Sequence, residues 1–284
     1  MSDALVSTEW LAARLDAPDI RIVDASFKMP GVTPTTAEDY AAAHIPGAVF
    51  FDINEIADSE TSLPHMLPSA VKFSSRMRRL GLGDGNRIVL YDTGGVMGAA
   101  RVWWTFRVFG HQDVSVLDGG LKKWLAEGRP VDDLPPVPRD RHFTARLNTM
   151  LVRDQAQMLS NIETRREQVV DARAAGRFTG EAAEPRPGLR QGHIPGSRNV
   201  DHLSLIDPAT GTVKPPAELK KLYEAAGLDL SKPIIATCGS GVTASVLALG
   251  LYLAGHRDTA VYDGSWAEWG LPDGPPIETG PAKG

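Results

Sequence analysis

Cys238 is the only cysteine in the chain. It ends the apolar run Ile234-Ile235-Ala236-Thr237 and opens Gly239-Ser240-Gly241-Val242-Thr243-Ala244, after which Ser245 to Leu253 reads as a helix. A thiol between a strand end and a helix start, with glycines in the turn, is set for nucleophilic chemistry. Glycine lets the backbone curl so that several N–H groups face one point. The helix N-terminus adds partial positive charge there. Both favour the thiolate, which is the nucleophilic form. A lone cysteine is commonly inert packing, but a core position has no need of Gly-Ser-Gly, so the sequence predicts a reactive thiol.

Positioning such a thiol requires strands and helices in alternation. Gln168-Val169-Val170-Asp171 reads as a strand, Pro216 to Ala226 as a helix ended at Gly227, Pro233 to Thr237 as a buried strand and Thr259 to Tyr262 as another. Between the last two, Val242, Val246, Leu249 and Leu253 mark one helix face. This alternation predicts an α/β domain whose mainly parallel sheet is flanked by helices. Ligands in such sheets collect beyond the C-terminal strand ends, where Cys238 falls.

The chain repeats itself once. His44-Ile45-Pro46-Gly47 recurs as His193-Ile194-Pro195-Gly196, Val23-Asp24-Ala25 as Val170-Asp171-Ala172, and Leu117-Asp118-Gly119-Gly120 with Trp124 as Tyr262-Asp263-Gly264-Ser265 with Trp269. A domain-sized offset means tandem duplication and not a solenoid. Glu127 to Pro138 is rich in proline and charge and reads as an extended linker. The expected organisation is a first domain over 1–130, a linker over 131–150 and a second domain over 151–284. Aligning the copies sets Asp92 opposite Cys238. A carboxylate can hold that turn but cannot accept sulfur, so the first domain is expected to be catalytically silent. His44 and His193 precede the same turn in both copies and are expected to be structural.

These residues carry a family likeness. Tandem His-Ile-Pro-Gly, a cysteine only in the second copy, the loop Cys238 to Ala244, Phe50-Phe51-Asp52-Ile53, His65-Met66-Leu67-Pro68, Arg101-Val102-Trp103-Trp104, Gly176-Arg177-Phe178 and Tyr262-Asp263-Gly264-Ser265-Trp266 resemble the 3-mercaptopyruvate sulfurtransferases, two-domain relatives of rhodanese. The resemblance implies two tandem rhodanese-like domains. It also implies sulfur transfer from 3-mercaptopyruvate through a Cys238 persulfide to a thiol acceptor such as thioredoxin, or to cyanide, with release of pyruvate. Arg177 and Arg186 would bind the substrate's carboxylate and keto oxygens, a role that suits the planar guanidinium fork. Gly239, Gly241, Val242 and Thr243 would line the persulfide with their N–H groups. Ser240 and His65, the latter from the first domain, match two members of a Ser-His-Asp relay. The aspartate of that relay aligns with Asn54, a departure for which Asp52 or Asp58 could substitute. No metal or organic cofactor is called for.

Two rival readings stand beside this one. Rhodaneses that use thiosulfate, a dianion, typically have Arg and Lys after the cysteine, where this chain has Gly239 and Ser240; the change favours the oxo acid. A non-enzymatic persulfide carrier is the other alternative. A Cys-x5-Arg phosphatase is excluded, because Ala244 stands where the arginine is needed. A net charge of −5 argues against nucleic acid or an anionic membrane as partner. No apolar stretch approaches the ~20 residues of a spanning helix, the N-terminal residues lack a signal-peptide pattern, and a single cysteine fits a reducing cytoplasm.

Overall fold

The computed structural model describes residues 4–29 and 31–282. Its strands are β1 (Leu5–Val6), β2 (Ile20–Asp24), β3 (Val49–Phe50), β4 (Arg87–Tyr91), β5 (Val114–Leu117), β6 (Val152–Arg153), β7 (Gln168–Asp171), β8 (Arg198–Asn199), β9 (Ile234–Thr237) and β10 (Ala260–Tyr262). They form two five-stranded sheets, ordered β1-β5-β4-β2-β3 and β6-β10-β9-β7-β8. Every pairing is parallel. The second order is the first with each strand advanced by five, so the repeat seen in the residues is also a repeat of topology. The inner strands are apolar without alternation because helices cover both faces of such sheets.

The described residues fall into two compact units. The first is Met1–Asp58, Leu67–Asn148 and Asp207–Val213; the second is Ser59–Met66, Thr149–Ile206 and Lys214–Gly284. Each unit therefore holds a short segment that the linear order would give to the other. Ser59–Met66, which contains His65, packs with the second unit. In the first unit, the Val213 N–H donates to Asp118 Oδ1 at 2.8 Å. The stretch after Glu127 is mostly without regular structure, and its Phe143 is buried in the first unit against Phe73 and Phe106.

Each unit has its own core. Leu11, Ile22, Tyr91 and Trp124 pack in the first, and Met158, Ile235, Tyr262, Trp266 and Trp269 in the second. The repeated tryptophans keep their polar ends satisfied in the same way: Trp124 Nε1 donates to Pro130 O and Trp269 Nε1 to Pro276 O. His44 and His193 are buried scaffolding. Their Nδ1 atoms pair with Tyr40 O and Phe178 O, their rings stack on Tyr40 and Phe178, and their backbones bridge to Asp132 and Glu278.

One helix differs from its expected pattern. The spacing of Val242, Val246, Leu249 and Leu253 predicts a single buried face. In the structure Val242 and all of 244–251 are buried, while Leu253 is half-buried. The helix Val242–Leu253 packs against β9, β10 and the helix Pro216–Ala225, and a helix covered on all sides has no polar face to display. Among the described residues no helix is long and apolar enough to cross a membrane.

Candidate active site

Cys238 follows β9, the middle strand of its sheet. The register pairs Asp171 with Thr237, and the Ala172 N–H donates to Thr237 O, so the next residue emerges at the C-terminal edge. Its backbone is fixed on both sides. The Cys238 N–H donates to Ser265 Oγ at 3.3 Å, and Ser265 Oγ donates to Tyr262 O at 2.7 Å. Cys238 O and Gly239 O accept from Trp266 N and Ala267 N, both at 2.9 Å. The turn at the end of β10 thus holds the loop by its carbonyls. Gly241, at φ +78°, turns the chain into the helix Val242–Leu253, whose first N–H groups have no intrahelical acceptor. Val242 is buried and Thr243 half-buried in that first turn. Cys238 itself is 2% exposed and Ser240 7%, so both are buried at this strand end.

The two arginines expected to bind substrate meet over Gly239. A Cβ on Gly239 would lie 3.1 Å from Arg177 Nη2 and 3.7 Å from Arg186 Nη1. Glycine at this position therefore gives both guanidiniums room against the loop. Burial pushes the Arg186 guanidinium below its usual range, while the nearness of Cys238 works in the opposite direction and Arg177 adds to the lowering.

The two arginines are not equivalent. Arg177 is already engaged: its Nη2 donates to Glu184 Oε2 at 2.6 Å and its Nε to Glu184 Oε1 at 3.3 Å. Glu184 also accepts from Arg173 Nη1 at 2.8 Å. Arg173 in turn forks onto Asp171 through Nε and Nη2, donates to Gly192 O, and lies 4.2 Å over the Trp266 ring. Glu184 and Arg173 were not singled out by sequence. The available signal was an acid between the two site arginines, at a spacing that becomes an ion pair only because the chain turns back after the helix Ala175–Thr179.

His65 does reach the loop. Its Nδ1 lies 2.9 Å from Ser240 Oγ. The residue is 6% exposed and sits at φ +62°, a left-handed conformation that a non-glycine residue adopts at a cost of about 1 kcal/mol or more. Asn54 is exposed, and Asp52 uses its carboxylate to cap the helix Ile53–Ile56, accepting from Asn54 N and Glu55 N. A cavity of about 290 Å³, lined by Gln168, Val169 and Arg198 among others, lies at the start of β7 and includes none of these residues.

Comparison with known proteins places the chain in a family. The family model of the rhodanese-like domain matches residues 7–127 and again 154–271. The chain is 43% identical over 272 residues to human 3-mercaptopyruvate sulfurtransferase, covering 94% of this chain and 91% of that one. It is 46% identical over 273 residues to the thiosulfate sulfurtransferase of Bos taurus, with the same two coverages. The crystal structure of SseA from Escherichia coli, described as a 3-mercaptopyruvate sulfotransferase, superposes with a TM-score of 0.85 at 38% identity, over 93% of this chain and 99% of that one. With two matched domains spanning most of its length, the chain belongs to the rhodanese family.

Proposed function

We propose that this protein is a sulfurtransferase that takes sulfur from 3-mercaptopyruvate onto Cys238 and passes it to a thiol. The Cys238 thiolate attacks the substrate's sulfur. The carbon–sulfur bond breaks, its electron pair leaves on the pyruvate enolate, and the enolate carbon takes up a proton, balanced by the one the sulfhydryl gives up. A persulfide remains. Covalent catalysis of this kind replaces one difficult transfer with two easier ones. The N–H groups of Gly239, Gly241, Val242 and Thr243 hold the anionic outer sulfur, as an oxyanion hole holds its charge. Ser240 passes the proton to the enolate carbon, with His65 Nδ1 behind it. In the second half-reaction an acceptor thiolate, thioredoxin or a small thiol, takes the outer sulfur and Cys238 leaves as thiolate. That acceptor and the single cysteine suit the reducing cytoplasm.

The observation that carries the choice of donor is Arg186, held over Gly239 beside a loop without cations of its own. Overall identity does not choose, since the human relative is named for one donor and the bovine relative for the other at 43% and 46%. The test is steady-state pyruvate release against sulfite release from thiosulfate, with cyanide as acceptor. The expected result is many turnovers with kcat/KM higher for 3-mercaptopyruvate, and a loss on the order of 10³-fold or more in Cys238→Ser. A higher kcat/KM for thiosulfate would make the protein a thiosulfate sulfurtransferase, and a single turnover would make it a carrier.

A further inference from the structure

We propose that Glu184 sets the number of open positive charges over Cys238 and thereby selects a sulfur donor with one negative charge over a donor with two. The inference rests on the sulfurtransferase reading above. Three guanidiniums meet at this end of the sheet, those of Arg173, Arg177 and Arg186, with the carboxylates of Asp171 and Glu184 among them. Asp171 takes one edge of Arg173. Glu184 takes the remaining arm of Arg173 and an edge of Arg177. Arg186 makes no hydrogen bond or ion pair with any described residue, and its Nη1 lies against Gly239. The cluster therefore presents one unbalanced positive charge to the loop, and Arg186 carries it.

Burial gives this count its force. The Glu184 side chain is 3% exposed and that of Arg173 fully buried, so water screens these charges poorly. A 2-oxo acid donor with one carboxylate balances the open charge. A dianion such as thiosulfate brings a second negative charge with no cation to meet it, and an uncompensated charge in such surroundings is costly. Ionisation of Cys238 adds the same negative charge against either donor and leaves their difference unchanged. If Glu184 lost its charge, the Arg177 edge would open and two cations would face the loop, which is the arrangement a dianion needs.

Two small probes separate the charges without any turnover: pyruvate with one negative charge and oxalate with two, titrated calorimetrically into the full-length protein. The wild type is expected to bind oxalate no more tightly than pyruvate. Glu184→Gln should raise the oxalate-to-pyruvate affinity ratio about tenfold or more, and should lower KM for thiosulfate relative to KM for 3-mercaptopyruvate. Glu184→Asp keeps the charge and should keep the wild-type ratio, which separates charge from packing. An unchanged ratio in Glu184→Gln would overturn the proposal. So would a wild type that prefers oxalate by more than about tenfold, a result readable even if the glutamine variant does not fold. Failure of the sulfurtransferase reading would show separately, as absent pyruvate release.

Discussion

Asp92 and Cys238 each follow the middle strand of a five-stranded parallel sheet, and each has its carbonyl held by the N–H of a residue beyond the next strand: Leu121 for Asp92 and Trp266 for Cys238. They use this shared frame in opposite ways. Asp92 folds its carboxylate back into its own turn, where Oδ1 accepts from Gly94 N at 2.8 Å and Oδ2 from Gly98 N at 2.6 Å. The side chain fills the cradle from inside. Cys238 puts a shorter thiol side chain at the matching position. The neighbouring charges differ in the same sense. Asp171 faces the buried Arg173, whereas its counterpart Asp24 has Ser26 in the arginine's place. Burial pushes the Asp24 carboxyl up, with hydrogen bonds from Ser26 working against it. The active frame has a thiol where the other has a carboxylate bonded into its own turn, and its cations are balanced down to a single open charge. The other copy has neither the thiol nor the buried arginine.

This contrast is open to attack at the acid first. Burial pushes the Asp92 carboxyl from its ordinary 3.8 up to about 6, with Asp24 adding to the rise and the Gly94 and Gly98 N–H groups opposing it. A folded-state value above the unfolded one means stability that is fully present below pH 3.8 and lost as pH rises through 6. At about 1.4 kcal/mol per pH unit the loss is on the order of 3 kcal/mol. Asp92→Asn cannot titrate. The stability of the wild type relative to Asp92→Asn, from urea denaturation, should therefore fall by about that amount between pH 3.5 and 7, the span over which Asp92 ionises. A difference that stays flat would show that Asp92 is not held as described.

A smaller effect sharpens the comparison at the next turn. Ser265 sits at φ +49°, where the first unit has Gly120 at φ +55°. The serine pays for that backbone with a hydroxyl that accepts the Cys238 N–H. Ser265→Ala keeps the strained backbone without the hydroxyl, whereas Ser265→Gly relieves the strain. The alanine variant should be less stable than the glycine variant by about 1 kcal/mol in the same denaturation assay. The reverse order would mean that Ser265 is not strained.

The repeat was legible in the residues because duplicated turns demand duplicated side chains. His-Ile-Pro-Gly, Val-Asp-Ala and Asp-Gly-Gly or Asp-Gly-Ser mark the same backbone corners in each copy, and the register of β2 with β4 matches that of β7 with β9. Cys238 was legible because the glycines after it make a turn that an inert core cysteine does not need. Its partners were less so. Contact between His65 and Ser240 spans 175 positions and follows from family likeness alone, since no local pattern encodes a segment packing into the other unit. Glu184 was hidden for a related reason: side-chain pairing across a loop leaves no periodicity. The all-round burial of Val242–Leu253 depends on what surrounds the helix, which spacing along one face does not report.

Intact-mass spectrometry after mixing the protein with 3-mercaptopyruvate, without any acceptor, tests the central claim most directly. Wild type and Asp92→Asn should each gain the mass of one sulfur atom, and Cys238→Ser should gain none. A wild type that gains no sulfur, or a Cys238→Ser variant that still does, would contradict the account.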